Sequence, residues 1–281
     1  MNPRGLLLVG GVAAVAAALL LGSQPAHAAV AQPADDRAWV RRVIAFVSAS
    51  EGRADSVNRN LDGAGLSYGI LQWNQRAGSL GVLLRALYQV DPGAFARIFG
   101  PAWFALLSAT ARGGLEPVDS VALWEEPWVS RFVAAGRHPP FVAAQWDLAE
   151  RGEHFQGALD VARILGVRTE RAMALFFDRA VQQGPEAARG MATKLQVWSY
   201  PAVLQAYADL AASRFRRTTA PPSAQYSARS PHIVWQQVGA EWHAVAGRWD
   251  LYLDVVRRTT HILADSSLSD VQRHYTEEKP V

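Results

Sequence analysis

The chain has 281 residues, 50% of them hydrophobic, with 28 Lys and Arg against 25 Asp and Glu and no cysteine. That length is enough for one large domain or two lobes. A net charge of +3 without a dense basic stripe argues against a nucleic-acid partner, and the lack of cysteine excludes disulfides and a lipid-modified cysteine anchor, so the fold rests on its core alone.

In chain order, Arg4, the apolar run Leu6 to Leu21 and the small residues Ala26 and Ala28 read as a secretory signal peptide over residues 1–28, cleaved after Ala28. The run lies near the lower limit for a membrane span, so a retained anchor is the alternative. Cleavage gives a secreted or periplasmic protein with no stable membrane anchor, and a monomer is expected. From Asp36 to Ala49, Trp39, Val43, Phe46 and Val47 recur at the three- and four-residue steps of one buried helical face. Glu51 follows that face. Apolar surroundings and the negative end of the helix dipole both disfavour its charged form, so its pKa is expected to rise to where a general acid works. Further on, Asp62-Gly63-Ala64-Gly65 reads as a tight turn. It would bring Asp62, solvated and ionised, back opposite Glu51. One carboxyl held up and one left low is the pairing used in glycoside hydrolysis. Leu66 to Trp73 then reads as one short strand forming a cleft floor.

Beyond it the helical period returns at Leu80, Val82, Leu83, Leu84, Leu87 and Tyr88. Asp91-Pro92 supplies a cap and first-turn proline for a short helix through Ile98. Within Ser120 to Ala135, Trp124-Glu125-Glu126-Pro127-Trp128 reads as a helix start with favourable charges ahead of a sugar-lining role. Phe141 to Gly166 is a long amphipathic segment. Thr169 caps a helix from Arg171 to Gln183 that is apolar nearly all round and so should be central and buried. Asp178 inside it needs a partner. Residues 214–231, rich in Pro, Ser, Thr and Arg, read as a surface loop, after which helices are expected over His232 to Ala246 and Arg248 to Leu263. The seven histidines show no ligand spacing, so no metal and no cofactor are implied. Most of the ten tryptophans should be packing residues, with some available as sugar platforms.

Glu51 followed by a polar stretch and Gly65-Leu66-Ser67-Tyr68-Gly69-Ile70-Leu71-Gln72-Trp73 resembles the pattern of the lysozyme-like superfamily, and within it the bacterial chitosanase family. The run from Asp62 to Trp73 is similar, without a gap, to the family's D-G-x-G-Y-T-x-G-I-I-G-F segment. Ala144-Gln145-Trp146-Asp147, His154-Phe155-Gln156-Gly157-Ala158 and Ala174 to Pro185 resemble three later family segments in the same order. Ala64 stands where the family turn has an arginine, and the ending Ile70-Leu71-Gln72-Trp73-Asn74 is closer to peptidoglycan-cleaving relatives.

The resemblance implies a mainly α, two-lobed lysozyme-like fold with a small β element, in a catalytic domain over residues 35–277. It implies Glu51 as acid, Asp62 as base and Ser67 as the residue that helps hold the attacking water. If the family's inverting chemistry carries over, the two carboxyls should stand about 6.5–9.5 Å apart. Asn60, Tyr68, Gln72, Trp73 and Asn74 are the expected substrate contacts. Asp178 is expected to pair with Arg257 or Arg258 and with Arg273 in an ion network beside the acid. The implied activity is exported hydrolysis of β-1,4 bonds in an amino-sugar polysaccharide, chitosan or peptidoglycan. The alternatives are a peptidoglycan muramidase or lytic transglycosylase using Glu51 alone, and a wall-binding protein without turnover. A polycation such as chitosan would favour an acidic cleft, whereas the cell wall is anionic.

Overall fold

The structure is a computed structural model that describes residues 34–197, 199–218 and 233–273. The signal peptide expected over residues 1–28 and the 219–231 part of the expected loop lie outside the described residues.

Helix α1 (Ala34–Glu51) buries Trp39, Val40, Val43, Ile44 and Val47 on one face and ends on Glu51 itself. A three-stranded antiparallel sheet follows, in the order β1 (Val57–Arg59), β2 (Leu66–Tyr68), β3 (Trp73–Asn74). The stretch Leu66 to Trp73, expected as one strand, is therefore two strands joined by a reversal. Gly69 takes φ 82° and Gln72 φ 50°, and Gln72 N–H closes the turn on the Gly69 carbonyl at 3.1 Å. Glycine is required at the first of these positions, because an added Cβ would lie 2.4 Å from Gln145 Oε1.

Five helices complete this lobe: α2 (Ser79–Val90), α3 (Pro92–Phe99), α4 (Trp103–Thr110), α5 (Trp128–Ala135) and α6 (Pro139–Arg151). Asp91 caps α3 by accepting from Ala94 N at 2.8 Å, as its position before a proline suggested. Phe95, Phe99, Phe132 and Phe141 are fully buried. Phe99 meets Phe132 edge to face at 5.3 Å, and Tyr68 reaches Phe132 at 5.0 Å, which ties the sheet to the helices. Glu126 accepts from Ser130 N at 3.1 Å at the start of α5, and Trp128 is buried beside it.

The expected single segment Phe141 to Gly166 is broken into α6 and α7 (Glu153–Leu165) where Gly152 is extended. The second lobe packs α1, α7, α9 (Pro185–Ala192), α10 (Ala202–Ser213) and α11 (Leu251–Ala264) around α8 (Glu170–Gln183). Thr169 caps α8, accepting from Ala172 N at 3.0 Å, and α8 is buried from Ala172 through Ala180. It is the central helix that its all-round apolar character required.

The helix expected over His232 to Ala246 is not there. Ile233–Val238 (β5) and Glu241–Ala246 (β6) form a hairpin in the register Val238↔Glu241, closed by Gly239-Ala240 with Gly239 at φ 62°. β-branched and aromatic residues on either side of a two-residue glycine turn favour the hairpin over the helix. Within the expected loop 214–231, Arg216–Arg217 (β4) adds to β6, and Trp249–Asp250 (β7) pairs with its other end, so the last helix starts at Leu251 rather than Arg248.

Gln145, fully buried on α6, accepts from Ile70 N at 3.1 Å and donates to Ala54 O at 3.0 Å, so one side chain fastens the sheet to the helices. Gln145→Leu should strand both backbone groups at roughly 1–3 kcal/mol each. Thermal unfolding should register this as a clear drop in melting temperature with the helical circular-dichroism signal of the folded state retained.

Candidate active site

Three helices meet at one guanidinium. Asp178 is buried on α8, where its Oδ2 accepts from Arg179 Nε at 2.8 Å and its Oδ1 accepts from Arg258 Nε at 2.8 Å. The Arg258 Nη2 of α11 donates to both Asp178 and Glu51. Gln182, one turn beyond Asp178 on the same face of α8, donates to Glu51 Oε1 at 2.8 Å. Both donors converge on Oε1. A guanidinium has no lone pair to accept with, so the proton of a neutral Glu51 belongs on Oε2.

Burial is the largest influence on Glu51 and raises its pKa above the ordinary glutamate value. The Arg258 charge opposes this and the Asp178 charge adds to it. Asp178, more deeply buried, is nevertheless held below the ordinary aspartate value, because the two arginines more than offset its desolvation. The network thus assigns Arg258's charge mainly to Asp178 and favours the protonated form of Glu51 more than an ordinary glutamate would.

Across the cleft, the β1–β2 turn presents Asp62. The turn is built by side-chain acceptors: Asn58 Oδ1 takes Leu61 N at 3.1 Å, Asn60 Oδ1 takes Gly65 N at 2.8 Å, and Asp62 Oδ1 takes Ala64 N at 3.0 Å. From the other lobe, Gly247, at the β6–β7 turn with φ 58°, lies directly on this loop. A Cβ there would stand 2.0 Å from Leu61 O. The hairpin therefore sets how far the Asp62 loop can move toward the second lobe.

Glu51, Asp62, Ser67, Gln72, Trp73 and Asn74 line a single cleft of about 960 Å³, within the range of about 300–1,000 Å³ usual for ligand sites. Ser67 is buried at its floor and accepts from Asn74 Nδ2 at 3.0 Å, which leaves the serine proton to be donated elsewhere. Gln72 Nε2 is fastened to Gly69 O at 3.0 Å.

Two expected substrate contacts are placed elsewhere. Tyr68 is fully buried, its phenol pushed far up by desolvation and reached by Gln145 Nε2 at 3.4 Å. Asn60 is occupied in its turn. The expected network is corrected in two members. Arg257 faces outward from α11 and pairs with Asp254 at 2.8 Å, while Arg273 pairs with Glu170 at 2.8 Å, alongside Arg42 at 2.6 Å. Of the two expected alternatives it is Arg258 that meets Asp178, and Arg179 stands where Arg273 was expected. Gln182 and Trp249 are residues that sequence reasoning missed. Gln182 was findable from its four-residue step after Asp178. Trp249, 44% exposed on the cleft wall under Arg248 at 5.0 Å, depended on the unforeseen hairpin.

No protein-family model matches the chain and no curated protein matches its sequence. Solved structures do match its fold. A native chitosanase from Bacillus subtilis MY002 aligns with TM-score 0.54 at 14% identity, over 83% of this chain and 89% of that one. A mutant of the same enzyme complexed with six GlcN units gives 0.53 at 15% identity over 83% and 89%. The GH46 chitosanase GsCsn46A of Gynuella sunshinyii, in complex with chitotetraose, gives 0.53 at 16% identity over 83% and 88%.

Asp178→Asn should reveal itself in two ways. The folded carboxyl titrates below its unfolded value of 3.8, so the stability it contributes is present above that pH and is lost as pH falls through the lowered pKa. The variant should therefore be less stable at neutral pH, by about 3–5 kcal/mol for a broken buried pair, and should show a smaller further loss on acidification. With the Asp178 charge gone, the pKa of Glu51 should fall, moving the alkaline limb of any Glu51-dependent activity to lower pH. Urea melts at pH 3 and pH 7 and a pH–rate profile check both effects. At the level of architecture, the chain has the mainly α, two-lobed, chitosanase-like fold of the lysozyme type.

Proposed function

We propose that the protein is an exported glycoside hydrolase that cleaves β-1,4 bonds of an amino-sugar polysaccharide, with inversion at the anomeric carbon. The observation that carries this reading is the unequal pair of carboxyls in one cleft: Glu51 buried with a raised pKa, Asp62 on an open turn. Fold similarity to chitosanases supports the same class of reaction.

In this mechanism the polymer lies along the cleft with the scissile oxygen at Glu51 Oε2. Glu51 transfers its proton to the leaving oxygen as the glycosidic bond breaks. Gln182 and Arg258 hold Oε1 and take up the negative charge left on the carboxylate. Asp62 removes a proton from a water that attacks the opposite face of the sugar. Ser67, whose oxygen already accepts from Asn74, donates its hydroxyl proton to orient that water. Asp62 gives its proton to solvent and Glu51 regains one, and a single water is divided between the products, as a hydroxyl on the anomeric carbon of one and a proton on the freed oxygen of the other.

Glu51→Gln keeps the side-chain volume and removes the proton donor, so turnover should fall by about 10²–10⁴-fold. Asp62→Asn should fall comparably, because the base is lost. Products separated by mass should carry the added water of hydrolysis. Near-normal turnover by Asp62→Asn with anhydro-sugar products would replace this mechanism with a transglycosylase one, in which the sugar's own hydroxyl is the nucleophile.

A further inference from the structure

The charge left over on the cleft walls indicates which kind of amino-sugar polymer fits. Arg258 and Glu51 are committed to the network with Asp178, and Arg257 is paired with Asp254 at 2.8 Å. His154 lies beside Glu153 and is held toward its neutral form by burial. What remains facing the cleft is Arg76, Arg85 and Arg112 against Asp62 and Glu153.

The three arginines belong to one wall. Gly114 N–H donates to Arg76 O at 3.3 Å, which seats the Arg112 segment on the β3–α2 connection. Gly81 of α2 packs onto the Thr110 carbonyl at the end of α4, which brings Arg85 to the same side. Arg85 and Arg112 are exposed. Among the described residues, neither has a carboxylate within ion-pair distance. Arg76 donates from Nε and Nη2 to Gly63 O at 3.0 and 2.9 Å, so it is fixed in place by an uncharged acceptor and its charge is not cancelled. Arg85 and Arg112 thus present their guanidiniums outward, and Arg76 adds an uncancelled charge from its fixed position.

A chain of glucosamine units carries an ammonium on each sugar and would be repelled by such a wall. A glycan with acidic substituents would be attracted, and a planar guanidinium matches a carboxylate through paired hydrogen bonds. We infer that the cleft is built for an N-acylated amino-sugar polymer that bears carboxylates on its sugars, with Arg85, Arg112 and Arg76 selecting the acidic strand. This rests on the glycoside-hydrolase reading above and narrows its substrate.

The test uses three probes: peptide-free peptidoglycan strands, which carry a lactyl carboxylate on alternate sugars, the neutral N-acetylglucosamine hexamer, and the cationic glucosamine hexamer. Affinity is measured by titration calorimetry on the full chain carrying Glu51→Gln, at low and high salt, and initial rates are measured with Glu51 intact. The acidic strand should bind at least about tenfold more tightly than the glucosamine hexamer, with the advantage shrinking as salt rises. Changing Arg85 and Arg112 together to Gln, at exposed positions where folding is not at stake, should remove most of that advantage and strengthen glucosamine binding. Arginine-dependent binding of the acidic strand without cleavage of any probe would support the recognition surface and overturn the hydrolase reading. Preferred binding and cleavage of the glucosamine hexamer, unaffected by the two arginine changes, would overturn this inference and leave the hydrolase reading standing.

Discussion

The Arg258 guanidinium between Asp178 and Glu51 is the contact on which the rest of the structure depends. A carboxylate inside an otherwise apolar helix is strongly unfavourable unless it is paired and hydrogen-bonded. Asp178 meets that requirement only because Arg179 comes from its own helix and Arg258 from α11. The pairing fixes the rotation of α8 about its axis, and with it the direction in which Gln182 points. It also fixes α11 against α8. Since α1 ends on Glu51, and Glu51 accepts from both Gln182 and Arg258, the end of the first helix is registered against the same point. Residues 51, 178 and 258 are far apart in sequence, and one side chain makes them a unit.

The two carboxyls of the cleft are held by opposite means, and the difference separates their properties. Glu51 is set by the buried Arg258 and the exposed Gln182, and moving it would break a hydrogen bond to a charged guanidinium. Asp62 is set by a short turn whose backbone donors are satisfied by Asn58, Asn60 and Asp62 itself, and by the hard contact of Gly247 from the other lobe. Burial raises the pKa of the first carboxyl, whereas the second stands on a turn that opens to the cleft.

What could be read from the amino-acid order alone was what local physics decides. The apolar face of α1, the Asp91 and Thr169 caps, the buried character of α8 and the polar turn around Asp62 are all set within a few residues, and each appears at its expected place. The errors lie where a choice depends on distant partners. Arg257 and Arg258 differ by one helical step of about 100°, so which of them faces Asp178 is decided by how α11 docks. Arg273 was free to pair with any buried acid, and Glu170 lies closer. Tyr68 alternates with Ser67 along β2, and the sheet's docking on Phe132 sends the tyrosine inward and the serine to the cleft. The hairpin over 233–246 was misread as helix because its alternation is weak: one strand is mostly exposed and the other mostly buried toward its end.

Structures that share this fold at 14–16% identity show how few positions the architecture constrains. The frame around Glu51 fixes α1, α8 and α11 whatever charge the cleft wall carries. The cleft wall carrying Arg76, Arg85 and Arg112 is made from the β3–α2 connection, an exposed face of α2 and the end of α4. Arg85 and Arg112 contribute nothing to the core and pair with no acid among the described residues. Their charge can therefore change without disturbing the packing that positions Glu51. Under the proposed hydrolase reading, the Glu51 frame can stay fixed while the sign of the wall follows the sign of the polymer, so the charge of the substrate has to be read from the wall and not from the fold.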